Sequence, residues 1–229
     1  MFELLHEKLK TSMQESASCT IICYGDSVTQ GCFGPQDVHP TPLDSYSVKL
    51  HSALQFLYPE KVINVLNAGV AGDTATRALL RFERDVLSHN PDLVIVAFGV
   101  NDFGNTDAYI ESLGKIFDEL NARNIPCIYM TEHMMNTYSA DDTSENIKEY
   151  SKVTAEAQNN GTLDNLWDRG IALAKEKGIA VCDVYHKWKK LHASGVDITK
   201  LLANRINHPV KQMHDLFVTS IIETLFFAE

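Results

Sequence analysis

No stretch of this chain approaches the roughly 18 consecutive apolar residues that a membrane-spanning helix needs, so no span is expected. The segment Met1-Phe2-Glu3-Leu4-Leu5-His6-Glu7-Lys8 carries acids where a secretion signal would be basic and then apolar, and a cytoplasmic location is the expectation. Cysteine is sparse and odd in number, five in 229 residues, with no spacing that resembles a disulfide framework or a CxxC knuckle. Cys19 and Cys23 lie in or beside an apolar run, where a free thiol behaves as a small apolar residue. No H-E-x-x-H or similar cluster is present, so neither a metal nor another cofactor is expected. An excess of basic residues is also missing. The net charge of -10 argues against DNA or an acidic membrane as partner. With no internal repeat, low-complexity tract or Pro- or Gly-rich linker, residues 1–229 read as one domain.

What is there is apolar and patterned. Hydrophobic residues make up 45% of the chain, enough for a substantial core. Five short runs read as strands: Thr20 to Tyr24, Val62 to Leu66, Leu93 to Phe98, Ile125 to Met130 and Ile179 to Val184. Each is continuous rather than alternating, as expected of strands covered on both faces. Helical periodicity fills the intervals. Tyr46 to Leu57 carries an apolar stripe with Asp44 as N-cap, and Thr74 to Leu87 follows Asp73 as cap. Ala108 to Leu120, Leu163 to Ala174 and a last helix from about Gln212 to Phe227 complete the set. Strands alternating with helices predict a parallel sheet with helices on both sides. Ligands then bind beyond the carboxyl ends of the strands.

Polar and glycine residues gather at those ends. Gly25-Asp26-Ser27-Val28-Thr29-Gln30-Gly31 follows the first strand, and Asn67-Ala68-Gly69 the second. Gly99-Val100-Asn101-Asp102 follows the third and Thr131-Glu132-His133-Met134-Met135-Asn136 the fourth. A serine that cleaves an ester needs a base, donors for the oxyanion and a group that orients the base. Ser27 offers the hydroxyl and its own N–H as a donor. Gly69 N–H and the Asn101 side-chain amide offer two more donors. His208, in Asn207-His208-Pro209 just before the last helix, is the candidate base. His214, six residues on, is its rival. Asp26 and Asp102 read as loop braces that bond backbone N–H groups. The G-x-S-x-G elbow does not fit, because Thr29 stands two residues after Ser27.

Gly25-Asp26-Ser27-x-Thr29-x-Gly31, Asn67-Ala68-Gly69, Gly99-x-Asn101-Asp102 and a late His208-Pro209, in that order, resemble the SGNH hydrolases, also called the GDSL esterase family. The resemblance implies a flavodoxin-like three-layer α/β/α fold with a five-stranded parallel sheet. It implies Ser27 as nucleophile, His208 as base, and Ser27 N–H, Gly69 N–H and Asn101 as oxyanion hole. The pattern breaks once: most members carry Asp three residues before the histidine, and here Arg205 stands there. A guanidinium accepts no hydrogen bond, and a cation beside the imidazole would disfavour its protonated form. Three groups could orient His208 instead: Asp183 at the end of the fifth strand, Asn204, or a backbone carbonyl that leaves a Ser-His dyad.

Other residues carry open readings. His6, His51, His89 and His192 fall in helical segments and read as solvated. His133 reads as a substrate contact or a plain loop residue, and Met134 and Met135 as an acyl pocket or as core. The polar stretch Thr137 to Thr162 reads as a lid or insertion, or as a solvated helix. The function expected is hydrolysis of small acyl esters, with acetylated carbohydrates one candidate class. The alternative is a small-molecule binding protein that has kept the fold and lost useful turnover.

Overall fold

The computed structural model describes residues 2–34 and 41–227. In chain order the helices are α1 (Glu3–Lys10), α2 (Ser27–Gln30), α3 (Tyr46–Leu57), α4 (Ala75–Ala78), α5 (Phe82–Asp85) and α6 (Thr106–Ala122). They continue with α7 (Lys148–Asn159), α8 (Thr162–Glu176), α9 (Val184–Ala193) and α10 (His214–Phe226). The strands are β1 (Cys19–Gly25), β2 (Ile63–Gly69), β3 (Leu93–Ala97), β4 (Cys127–Met130) and β5 (Ala180–Cys182).

All strand pairs are parallel and the sheet order is β2-β1-β3-β4-β5. This is the flavodoxin-like doubly wound order, whose switch point lies between β1 and β3. Helices α3 and α10 pack together on the sheet, and α4, α6 and α8 form a separate packed set. Every residue of β3, together with Ile21, Ile22, Cys23 and Tyr24 of β1, is buried, as their uninterrupted apolar runs require. No helix among the described residues is long and apolar enough to cross a membrane.

Three expectations need correction. β2 is not covered on both faces: it is an edge strand, with Asn64, Leu66 and Asn67 exposed, and it runs on through Asn67-Ala68-Gly69. The segment after Asp73 is not one helix but α4, a 3₁₀ turn and α5, with Thr74 as the cap that accepts from Arg77 N–H. Asp73 instead accepts from Arg81 Nε at 2.8 Å. Asp44 does not cap α3 either; Ser45 holds the cap position and Asp44 pairs with Lys211 at 2.7 Å.

Candidate functional site

Ser27 owes its position to a turn with no spare room. A Cβ on Gly25 would stand 2.1 Å from Thr29 Oγ1 and 2.5 Å from the Ala97 carbonyl, so only glycine lets β1 end this close to α2. Asp26 is the N-cap of α2. Its Oδ1 accepts from Val28 N–H at 2.9 Å, and its carbonyl accepts from Gln30 N–H at 2.9 Å. Ser27 is therefore the first helical residue, where the backbone N–H has no partner within the helix. The turn sits beside the switch point.

His208 reaches Ser27 from a loop that folds back over the sheet edge. Ala203 N–H donates to the His208 carbonyl at 2.7 Å, and Leu202 bridges Pro209. Asn204 Oδ1 accepts from the N–H groups of Ile206, Asn207 and His208 at 2.9–3.0 Å. His208 Nε2 then lies 3.0 Å from Ser27 Oγ, and Nδ1 lies 3.2 Å from the Phe33 carbonyl oxygen. A carbonyl only accepts, so the proton sits on Nδ1 and the Nε2 lone pair faces the serine. That is the tautomer a general base needs. Burial lowers the His208 pKa from its ordinary value, partly opposed by the Phe33 carbonyl, so the ring stays neutral at neutral pH.

The three candidate orienters thus separate. The backbone carbonyl of Phe33 faces Nδ1. Asn204 holds the backbone of the loop rather than the ring. Asp183 caps α9 by accepting from His186 N–H at 3.1 Å, and its second oxygen pairs with His186 Nδ1 at 2.8 Å. Arg205, at φ +59°, is turned outward: Nε and Nη2 reach the Asp142 carboxylate at 2.9–3.1 Å, and Nη1 donates to the Leu202 carbonyl at 3.0 Å. The expected cation beside the imidazole is not there.

The remaining donors gather at the neighbouring strand ends. Gly69 pairs in register with Gly25, and a Cβ on it would stand 2.2 Å from Gln30 N. Its N–H donates to Asn67 Oδ1 at 3.0 Å. The Asn101 amide donates to Asp26 Oδ2 at 2.8 Å and to the Asp73 carbonyl at 2.9 Å. An oxyanion would have to draw on donors that now serve intramolecular acceptors. Asp102 accepts from Ala75 N–H at 3.1 Å, bracing β3's loop against α4, and burial raises its pKa to about 7. Arg81 ties the first two strand ends together. Its Nη2 donates to the Gly25 carbonyl at 2.9 Å and its Nη1 to the Ala68 carbonyl at 2.8 Å.

Other candidates fall outside the site. His214 is fully buried at the start of α10, accepts from Tyr46 N–H at 3.0 Å and has its pKa lowered to about 3 by burial. His133 is buried against Trp188, with Nε2 2.8 Å from the Asn207 carbonyl. Met134 and Met135 belong to the core. The stretch Thr137 to Thr162 contains α7, which buries Ser151, Thr154 and Gln158 rather than standing free. His6 is not simply solvated, since it stacks on Phe226 and bonds the Leu225 carbonyl. Among the described residues no group of three or more His, Cys, Asp or Glu could hold a metal ion.

Sequence reasoning missed three neighbours of the site. The Phe33 carbonyl has no signal, because every residue carries one. Arg81 is an ordinary basic residue of a helical segment until the chain folds. Glu132, fully buried, had a faint signal: an acid placed directly after a buried strand.

A doubly wound α/β/α sheet with a serine and a histidine meeting at its switch point defines the class as that of the SGNH-type hydrolase fold. Residues 23–216 match the GDSL-like lipase/acylhydrolase family, and the chain belongs to it. An acetylxylan esterase of Geobacillus stearothermophilus is 35% identical over 91 residues, 36% of this chain and 39% of that protein. The uncharacterized lipoprotein YqeF of Bacillus subtilis (strain 168) is 32% identical over 82 residues, 36% of this chain and 31% of that one. The match therefore spans under two-fifths of the length of these curated relatives. Among solved structures, a point mutant of Axe2, an acetyl-xylooligosaccharide esterase from Geobacillus, has a TM-score of 0.72 at 20% identity, over 96% of this chain and 97% of that one. The acetyl xylan esterase AlAXEase gives 0.69 at 20% identity, over 90% and 100%. At that identity the likeness is one of fold.

Proposed function

We propose that this protein is a serine esterase that hydrolyses small acyl esters, with acetylated carbohydrates as the favoured substrate class, through an acyl-enzyme on Ser27. The observation that carries this reading is the contact of Ser27 Oγ with His208 Nε2 while Nδ1 donates to the Phe33 carbonyl. Ser27 Oγ attacks the ester carbonyl as its proton passes to Nε2. The oxyanion is met by the N–H groups of Ser27 and Gly69 and by the Asn101 amide. Collapse breaks the ester C–O bond, and the imidazolium returns its proton to the departing alcohol. Water, deprotonated by the same Nε2, then cleaves the acyl-enzyme and releases the acid. A carbonyl fixes the tautomer but offers the imidazolium less charge than a carboxylate would. Support for acetyl groups on sugars comes from the names of the relatives.

The second reading, a binder without useful turnover, draws on that missing carboxylate. It is less favoured, because His208 Nε2 lies 3.0 Å from Ser27 Oγ with the Phe33 carbonyl at Nδ1, an arrangement that supports proton transfer. Acetylated xylo-oligosaccharides and a p-nitrophenyl ester chain-length series, run on wild type and Ser27→Ala, test both. Turnover lost in Ser27→Ala and greatest on acetyl esters is the expected result. Turnover that survives in Ser27→Ala removes the serine mechanism, and its absence in wild type favours the binder.

A further inference from the structure

Glu132 follows β4 directly and is completely buried, yet nothing in the reaction above uses it. Its Oε2 accepts from Val100 N–H at 2.9 Å, which ties it to the loop that carries Asn101. Its Oε1 meets no protein N–H or O–H. The ionisable side chain facing its carboxyl is that of Asp26, also completely buried. Two carboxyls cannot bond to each other without a proton between them.

Among the described residues neither carboxyl is ion-paired to a Lys or Arg side chain. The titratable groups that interact with the pair include the acids Asp73 and Asp102, the phenols Tyr46, Tyr109 and Tyr129 and the Cys32 thiol. Arg81, the nearby guanidinium, is bonded to Asp73 and Asp85. Asp26 is already a double acceptor, from Val28 N–H through Oδ1 and from the Asn101 amide through Oδ2. Those two N–H bonds are stronger to the charged form of Asp26, which favours the proton on Glu132. Burial raises the pKa of both acids, and that of Glu132 is driven well above its ordinary value.

We propose that Glu132 is a positioning residue: as the neutral acid it donates to the Asp26 carboxylate and so fixes both the Asn101 amide and the first turn of the Ser27 helix. One proton thereby links the ends of β1, β3 and β4. The inference rests on the serine-esterase reading for its kinetic readout, but its proton can be observed without turnover.

Glu132→Gln and Glu132→Ala, with Asn101→Ala and the double variant Glu132→Ala/Asn101→Ala, test it. Gln presents an N–H to Asp26 and an oxygen to Val100 N–H, so Glu132→Gln keeps kcat within about threefold of wild type. Glu132→Ala loses kcat by about tenfold or more with KM little changed, since a mispositioned donor acts in the transition state. The double variant then loses less kcat than the product of the two single losses, because part of the Glu132 effect runs through Asn101. Infrared difference spectra recorded above about pH 8, where Asp102 is ionised, show a protonated-carboxyl C=O band in wild type that Glu132→Gln removes. A band that is absent, or that survives in Glu132→Gln, overturns the proposal, as does a Glu132→Gln variant as impaired as Glu132→Ala. Additive kcat losses do the same. If Glu132→Ala does not fold, the band and Glu132→Gln still decide. Failure of the esterase reading shows separately, as turnover indifferent to Ser27→Ala.

Discussion

One imidazole decides most of what this site can do, and its behaviour follows from two neighbours. The Phe33 carbonyl sets the tautomer, and burial lowers the pKa. As the proposed base, the ring must be neutral to take the Ser27 proton, so activity should be present above its pKa and lost as pH falls through it. The acid limb of kcat/KM should therefore have its midpoint below about 6.5, the ordinary histidine value. A pH profile on a p-nitrophenyl ester measures it, and a midpoint at or above 6.5 contradicts the buried, carbonyl-bound ring. The same geometry separates the sequence candidates for orienter. Asp183→Asn keeps an oxygen for the α9 cap and should change kcat by less than about threefold. Asn204→Ala removes the acceptor of three loop N–H groups, so it should lower both kcat and melting temperature. If Asp183→Asn costs orders of magnitude, a carboxylate reaches His208 in a state other than this one. Arg205 carries a lesson of its own: its position in the motif suggested proximity to the ring, but its left-handed backbone sends the side chain to Asp142.

At the level of elements, the site is a junction between the end of β2 and the first turn of α2. A methyl on Gly69 would overlap the backbone at Gln30, which no rotamer can relieve. Gly69→Ala should therefore destabilise the chain by at least ~1–3 kcal/mol and reduce turnover with it, as overpacking against backbone does. Thermal unfolding monitored by circular dichroism checks this, and an unchanged melting temperature would mean the junction is looser than described. The helix expected over Thr74 to Leu87 is interrupted at the same junction. Arg81 bonds the carbonyls at the ends of β1 and β2, and the helix is interrupted at that point. Its apolar spacing was visible in the sequence, but the carbonyls that claim Arg81 lie 13 and 56 positions away.

Across the whole molecule, the polar edge of the sheet concentrates buried acids: Asp26, Asp73, Asp102 and Glu132 are all nearly inaccessible. Asp102 makes the consequence measurable, with a pKa raised to about 7, first by burial. In the unfolded chain it ionises near 3.9. A carboxyl raised in the folded state contributes stability that is full below about 4 and lost as pH rises through about 7. Each unit of such a shift corresponds to ~1.4 kcal/mol. Asp102→Asn keeps the acceptor for Ala75 N–H and cannot ionise. Its melting temperature relative to wild type should rise between pH 5 and pH 8. A difference that stays flat or falls with pH would show that Asp102 ionises freely in the folded chain.

The sequence by itself determined the parallel sheet, the order of its strands along the chain and the four motif blocks. Uninterrupted apolar runs and glycine-rich strand ends are local features, and their physics needs no distant partner. Ser27, Gly69, Asn101 and His208 could be named as candidates because each residue type brings its own chemistry. Only the tertiary structure decided the rest. It chose the Phe33 carbonyl over Asp183 and Asn204, turned Arg205 away, joined Arg81 to two strand ends and set Glu132 against Asp26. The Phe33 carbonyl lies 175 positions from His208, and Glu132 lies 32 positions from Val100. Whether two such groups meet depends on the packing of the whole sheet, which no local pattern encodes.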